Sequence, residues 1–110
     1  MGTGDEVRDW LHIEDAAELL VTAVEHASIE CPIVNGGSGV GTNVRELLAR
    51  LACGFSGTEQ EIEFSGERRA GDPTQYVANI DAAKAWGWSP KLSLTEGIAE
   101  YIAWWKSSLP

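Results

Sequence analysis

This chain of 110 residues contains four helix-like segments, which limit how it can fold. Each segment begins with a residue that can cap a helix. They begin near Asp15, Asn43, Asp81 and Ser93. Three of these residues are followed three positions later by glutamate, which completes the capping-box pattern of a helix N-terminus. Between these helices, the segments with the composition of strands are few and short. The sequence therefore predicts a small α/β assembly that would lean on a larger sheet.

The apolar spacing sets the predicted helix faces and ends. The first helix is predicted to run to about His26 and the last to carry a core-facing stripe of apolar and aromatic side chains. The second is predicted to stop at Gly54 and the third at Gly87. On the first helix, one face holds Ala16, Leu19, Leu20, Ala23 and Val24. The matching stripe on the last helix holds Leu94, Ile98, Tyr101, Ile102 and Trp105.

Three short segments have the composition of β-strands. Residues 10–13 precede the first helix, residues 32–35 lie between a proline and a glycine run, and residues 61–64 alternate polar with apolar side chains. Residues 76–80 are predicted to be extended or irregular. Because 110 residues suffice for one modest core, the chain is predicted to be a single domain, residues 1–110.

Composition and charge exclude several functions. The formal net charge is -9, with only eight lysines and arginines, which argues against a nucleic-acid partner. No signal peptide and no run of 18 apolar residues occurs, so a cytoplasmic location without a membrane partner is expected. The two cysteines, Cys31 and Cys53, lack metal-ligand spacing and are predicted to be buried free thiols.

Two arginine-bearing segments stand out in this acidic chain. Arg8 lies just before residues 10–13, and Arg68 and Arg69 lie in a turn-rich loop. Guanidinium groups from both segments could converge on a phosphate through bidentate hydrogen bonds. The alternative is solvated ion pairs of small energy. In that case Arg8 would pair with Asp9 or Glu6, and Arg69 with Glu67 or Asp72.

Four motifs occur in a characteristic order. They are R-D-W-L-H-I-E-D at 8–15, N-G-G-S-G at 35–39, R-A-G-D at 69–72 and G-W-S-P at 87–90. Together they resemble the C-terminal, substrate-side part of the NAD-dependent nucleotide-sugar epimerase/dehydratase family, the extended short-chain dehydrogenases/reductases. The resemblance spans nearly the whole chain. It implies the C-terminal α/β part of that fold, without the Rossmann half that binds the nucleotide cofactor.

The resemblance also implies roles for particular residues. Arg8 and Arg69 match the arginines that hold the diphosphate of a nucleoside-diphosphate sugar in that family, and Asp72 matches the aspartate that accepts hydrogen bonds from ribose hydroxyls. Tyr76 falls where the family lines the sugar end of the pocket. A phenol there could donate to a sugar hydroxyl, and packing in the core is the alternative.

The features that the family uses for catalysis are not found in this sequence. Residues 36–41, the glycine-dense stretch, lie in the middle of the chain rather than at the N-terminal strand-to-helix turn on which the family holds the dinucleotide, so no NAD site and no cofactor is expected in this chain. Tyr76 and Tyr101 have Ile80 and Trp105 four residues on, so neither forms a Tyr-x-x-x-Lys pair. No catalytic residue and no metal site is predicted.

Three functions remain open at this stage. The chain is interpreted first as a substrate-side part that grips a nucleoside-diphosphate sugar and is inert alone. The second possibility is a free-standing module that binds nucleotide sugars weakly. The third is an interaction domain that associates with the missing Rossmann domain or with itself through exposed apolar surface.

Several smaller features have simpler interpretations. His12 could be a general base, but no nucleophile accompanies it, and His26 is predicted to interact with the helix dipole at a C-terminus. The glycines of residues 36–41 are predicted to supply positive φ angles rather than ligand contacts. Trp104 and Trp105 are predicted to divide between the core and a partner-facing surface.

Overall fold

In the computed structural model, the structure describes residues 2–68 and 70–109. They form two short strands and four α-helices, as predicted for an α/β fold. The elements are β1 (Val7–Asp9), α1 (Ile13–Glu25), β2 (Gly41–Asn43), α2 (Val44–Ser56), α3 (Asp81–Ala85) and α4 (Leu94–Ser108).

A narrow ribbon of extended chain organises the N-terminal part. Strands β1 and β2 pair antiparallel, with Arg8 opposite Thr42. On the other side of β1, Val7 forms a parallel bridge with Gln75. Its amide donates to the Thr74 carbonyl at 2.9 Å, and its carbonyl accepts from the Tyr76 amide at 3.0 Å. This register places Tyr76 beside Arg8 on one face of the ribbon, because alternate residues of a strand share a face.

The buried core is small and lies around α3. Trp88 is only 3% exposed and packs with Ile80 and Ala83. The indole Nε1 of Trp88 donates to the carbonyl of Asp15 at 3.0 Å, which ties this core to α1. Partly buried apolar side chains surround it: Leu11, Leu19, Val34 and Ala78.

The start of α1 differs from the sequence prediction. The strand expected at residues 10–13 is wrong, because the strand lies earlier, at β1, and α1 already begins at Ile13. The N-cap is His12, whose Nδ1 accepts from the Glu14 amide at 3.3 Å. Asp15 is not a cap. It is 2% exposed, and its carboxylate accepts from the amides of Lys91 and Leu92 at 3.0 and 3.1 Å.

Helices α2 and α4 begin as the sequence predicts. The Asn43 side chain accepts from the Glu46 amide at 2.7 Å, and Ser93 forms a complete capping box with Glu96. The stop predicted at Gly54 is wrong, because α2 continues to Ser56 and ends at Gly57, which adopts a left-handed φ of 77°. Gly54 instead lets the Ile102 side chain of α4 approach the α2 backbone.

Other local predictions also need correction. Residues 32–35 and 61–64 do not form strands, because no neighbouring strand in the described chain pairs with them. Asp81 is the first residue of α3 rather than its cap, and its amide donates to the Asn79 side chain at 2.9 Å. Residues 77–80 are irregular, as predicted, and Gly87 follows α3 with a φ of 84°. Both cysteines are free, but neither is buried as predicted, because Cys31 is exposed and Cys53 is only partly buried.

The molecule is more open than a compact domain of its length. Its radius of gyration is 16.6 Å, whereas about 13 Å is typical of 110 residues. Its surface area is 7766 Å², about 1,800 Å² above that of a compact monomer of this size. Many large apolar side chains are exposed, and on α1 they include Ile13, Leu20, Val21 and Val24. None of the described helices is long and apolar enough to cross a bilayer.

Candidate functional site

Arg8 and Tyr76 meet on the exposed face of the ribbon. The Arg8 guanidinium carbon lies 5.7 Å from the centroid of the Tyr76 ring, within the range of a cation–π contact. Its Nη1 donates to the Val7 carbonyl at 2.8 Å. Tyr76 is 64% exposed, so the alternative that it packs in the core is wrong. The pair therefore places a half-buried guanidinium beside an exposed phenol at the surface.

The acidic neighbours of Arg8 are engaged elsewhere. The Glu6 carboxylate accepts from the amides of Thr3 and Gly4 at 3.0 and 2.9 Å. These hydrogen bonds, that from the Thr3 amide being the strongest, lower the pKa of Glu6 to about 2. In the described part of the chain, no ion pair involves Arg8. The interpretation of Arg8 as half of a surface salt bridge with Glu6 or Asp9 is therefore wrong.

Asp9 holds the glycine loop against the ribbon. Its carboxylate accepts from the Ser38 amide and hydroxyl, both at 2.6 Å, and from the amides of Gly39 and Ala78 at 3.0 and 3.1 Å. Partial burial raises the pKa of Asp9, but these bonds, led by that from the Ser38 hydroxyl, outweigh burial and bring the pKa below its usual value. The loop thus binds an anion that belongs to the chain itself.

This arrangement confirms the role predicted for the loop glycines at one position and corrects it at the others. Within residues 36–41, Gly39 has a positive φ, at 74°. Gly37 is required for a different reason, because a Cβ there would overlap the Asp9 carboxylate and Ala78. The sequence suggests Asp9 only as a counter-charge for Arg8. The signal that could have revealed it is the row of loop amides, which need an acceptor once the loop closes.

Asp72 lies in a separate, polar depression. It lines a cavity of about 120 Å³ with Arg68, Asp5, Glu6 and Glu67, whereas Arg8 and Tyr76 lie outside it. The described carboxylates outnumber the single arginine, so this cavity suits hydroxyl donors better than a phosphate. Arg69, the second predicted diphosphate ligand, lies outside the described residues.

One further arginine has a structural role that the sequence did not indicate. The Arg45 guanidinium lies 4.4 Å from the centroid of the Phe64 ring, and its Nη2 donates to the Thr3 carbonyl at 2.5 Å. Gly4 packs directly against the same ring. Arg45 therefore anchors the segment that includes residues 61–64 to the ribbon.

The histidines serve packing and capping. The Nε2 of His12 lies 3.4 Å from the Glu100 carboxylate, while its Nδ1 caps α1. Both ring nitrogens of His12 thus contact other groups of the protein, which argues against His12 as a general base. His26 forms the C-cap of α1 and stacks on Trp86, with ring centroids 4.9 Å apart. No cluster of three potential metal ligands occurs among the residues that the structure describes.

Comparisons with known proteins agree with this architecture. The family model of the NAD dependent epimerase/dehydratase family matches residues 1–37. The UDP-glucose 4-epimerase of Rhizobium leguminosarum bv. trifolii is 38% identical over 104 residues, which cover 92% of this chain and 31% of that protein. The low-salt glycan biosynthesis protein Agl12 of Haloferax volcanii is 33% identical over 97 residues, covering 88% of this chain and 31% of that protein.

Comparison of the structures leads to the same group of proteins. The crystal structure of UDP-glucose 4-epimerase from Thermotoga maritima with UDP-glucose superposes with a TM-score of 0.85 at 29% identity, over 100% of this chain and 35% of that one. The chain belongs to the NAD-dependent epimerase/dehydratase family of extended short-chain dehydrogenases/reductases. It spans about a third of the length of the relatives that it matches.

Proposed function

We propose that this chain forms the substrate-side wall of a nucleotide-sugar epimerase or dehydratase and grips the diphosphate of a nucleoside-diphosphate sugar. The observation that carries the proposal is the half-buried Arg8 guanidinium, which is held by the Val7 carbonyl and the Tyr76 ring. An arginine fixed in this way loses less conformational entropy on binding a phosphate than a mobile one.

The neighbouring residues suggest which part of the nucleoside-diphosphate sugar each of them would contact. Arg8 would contact the diphosphate, and Tyr76, beside it in register, would contact the sugar end. Asp72 would accept hydrogen bonds from the ribose hydroxyls in its acidic cavity. Arg69, which follows Arg68 directly in the sequence, would be the second ligand of the diphosphate.

The reaction itself would depend on the two thirds of the relatives' length that this chain does not span. The relatives belong to a family described as NAD dependent, and NAD supplies hydride transfer when it is bound. Neither tyrosine of this chain is followed by lysine four residues later. We therefore propose that the present residues position the substrate, without turnover when they act alone.

The surface of α1 suits attachment to such a remainder. Ile13, Leu20, Val21 and Val24 form an apolar stripe that faces away from the described core. Beside it, residues 32–35 have the composition of a strand but no pairing partner in the described chain. A helix with an outward apolar stripe and a neighbouring segment of strand-like composition would complete the edge of a parallel sheet, with α1 covering one sheet face.

The proposal is tested by calorimetric titration of the chain with UDP, dTDP, GDP and NAD. Because the other wall of the cleft is lacking, we expect one nucleoside diphosphate to bind with a dissociation constant on the order of 1 mM. Arg8→Ala should weaken it at least about tenfold, since a charge-assisted hydrogen bond is lost.

Arg50→Ala is the matched control. It removes the same charge from α2, where Arg50 pairs with Glu46 within its own helix, so binding should change less than about twofold. Equal losses in both variants would indicate a general charge effect and contradict the proposal. So would equal affinity for NAD, or a folded chain that binds none of the nucleoside diphosphates.

A further inference from the structure

The acidic cavity described above is enclosed by three short segments of the chain. Residues 5–6 and 72–74 form two of its sides, and residues 67–68 form the third. The first two sides are fixed to each other through β1, because the Val7 amide donates to the Thr74 carbonyl at 2.9 Å. The third side lies outside this ribbon, so its position depends on other contacts.

Two backbone hydrogen bonds tie the third side to Gly2. The Gly2 amide donates to the Glu67 carbonyl, and the Gly66 amide donates to the Gly2 carbonyl, both at 3.1 Å. Gly66 and Gly71 lie on either side of Arg68 and have φ angles of 74° and 90°. A Cβ at either glycine would meet open space, so this turn is not held by packing at these two positions.

Phe64 supplies a side-chain contact just before this turn. The tip of its ring points at Gly4, where an added Cβ would lie 2.7 Å from the ring Cζ. The Arg45 guanidinium covers the ring face, 4.4 Å from the centroid, and donates to the Thr3 carbonyl. Gly4, Arg45 and Phe64 thus form a clasp, which holds the third side of the cavity against the N-terminal segment.

The clasp is connected to the cavity on both sides. Gly4 contacts Phe64 through its Cα, and its amide donates to the Glu6 carboxylate at 2.9 Å. Glu6 itself lines the cavity, whereas Arg8 and Tyr76 belong to neither the cavity nor the clasp. A hydrogen bond between a carboxylate and a hydroxyl contributes most where both groups are held in place and shielded from water. The cavity can provide this only while its third side stays closed.

We infer that Phe64 and Arg45 are positioning residues, which hold residues 67–68 at the cavity and thereby make the nucleotide site select ligands with ribose hydroxyls. The inference rests on the proposed function, in which Asp72 accepts hydrogen bonds from the ribose. It adds the two residues on which that selection depends, although neither side chain belongs to the described lining of the cavity.

Paired titrations test the inference. UDP, dTDP and GDP are each compared with the 2′,3′-dideoxy counterpart, and the ratio of the two dissociation constants isolates the ribose hydroxyls, because both ligands carry the same diphosphate. We expect the wild-type chain to prefer the hydroxyl-bearing form of the nucleotide that it binds by about three- to tenfold. Phe64→Leu and Arg45→Met keep apolar bulk but remove the ring and the guanidinium, and each should lower this ratio below about twofold.

Phe55→Leu and Arg50→Met are the matched controls. They make the same substitutions on α2, where Phe55 packs edge-on against Tyr101 and Arg50 pairs with Glu46. Both positions lie outside the clasp and the cavity, so the ratio should stay within about 1.5-fold of the wild-type value. Losses in the controls equal to those in the clasp variants would overturn the inference.

Amide hydrogen exchange measures the clasp without a ligand. The Gly66 amide should exchange at least about tenfold faster in Phe64→Leu, whereas the Val7 amide, which is bonded within the ribbon, should exchange as in the wild type. A folded clasp variant that keeps the wild-type ratio, or unchanged exchange at Gly66, would overturn the inference and leave the proposed function intact. A wild-type chain that binds no nucleoside diphosphate would overturn both. Binding without a preference for the hydroxyls would overturn the inference together with the role proposed for Asp72.

Discussion

At the scale of single residues, Asp9 shows how one carboxylate can organise a whole loop. It gathers four donor groups from two segments that are far apart in sequence, around Ser38 and Ala78. The loop stays folded only while these donors have an acceptor, because an unsatisfied amide costs about 1–3 kcal/mol. By fixing the end of β1, Asp9 also helps to orient the neighbouring Arg8.

We therefore expect Asp9→Asn to destabilise the chain in a pH-dependent way. The folded-state pKa of Asp9 lies below its ordinary value of 3.8, so its stabilising effect is present above about pH 4 and is lost as the pH falls through the folded-state pKa. The variant should unfold about 2 kcal/mol more easily at pH 7, and the difference should shrink towards pH 2.5. Urea unfolding at pH 7, 4, 3 and 2.5 measures this.

The control for this experiment is Asp5→Asn, which neutralises a nearby exposed carboxylate without touching the loop. It should shift stability by less than about 0.5 kcal/mol at pH 7. Glu6, whose pKa is lowered to about 2, remains in both variants and gives a shared acid-induced loss. A gap between Asp9→Asn and wild type that stayed constant down to pH 2.5 would show that charge is irrelevant at this position.

At the scale of secondary-structure elements, capping determines where the longer helices begin. The Ser93 hydroxyl bonds the Glu96 carboxylate at 2.6 Å and accepts from the Glu96 amide at 3.3 Å. We expect Ser93→Ala to lower the free energy of unfolding by about 1 kcal/mol, whereas Ser93→Asp should retain most of the cap. The hydroxyl bond also lowers the pKa of Glu96, so NMR titration should show a higher value in Ser93→Ala. An unchanged stability in Ser93→Ala would contradict this role.

The sequence predicts elements well where their determinants are local. The caps at Asn43 and Ser93 were confirmed because each depends on atoms within one helical turn. The prediction failed at Asp15, because its partners, Lys91 and Leu92, are 76 and 77 residues away. The strand predicted at residues 32–35 failed for a related reason, since pairing needs a neighbour and a strand-like composition does not supply one.

For the candidate site too, the sequence indicates some features and not others. Arg8 and Tyr76 could be named from their motifs, and the structure brings them together through the bridge between Val7 and Gln75. That bridge spans most of the chain, so spacing along the sequence could not reveal it. The separation of Asp72 into its own acidic cavity was equally hidden.

At the scale of the whole molecule, the open shape has a thermodynamic consequence. A chain of this size exposes about 17,000 Å² when unfolded, so a folded surface of 7766 Å² leaves less area to be exposed on unfolding than in a compact domain. The area exposed on unfolding is about one-sixth smaller than that of a compact domain of the same length. Because the urea m-value scales with that area, we expect an m-value about one-sixth below that of compact domains of 110 residues.

This measurement is best made at low protein concentration, so that unfolding is not coupled to any binding between molecules. A double variant of the α1 stripe, Leu20→Lys with Val24→Lys, provides the comparison. Both side chains are at least 70% exposed, so the m-value and the urea midpoint should stay close to those of the parent. An m-value typical of a compact domain, or a large loss of stability in the double variant, would mean that α1 packs its outer face inward in solution. The stripe would then be unavailable to a larger sheet.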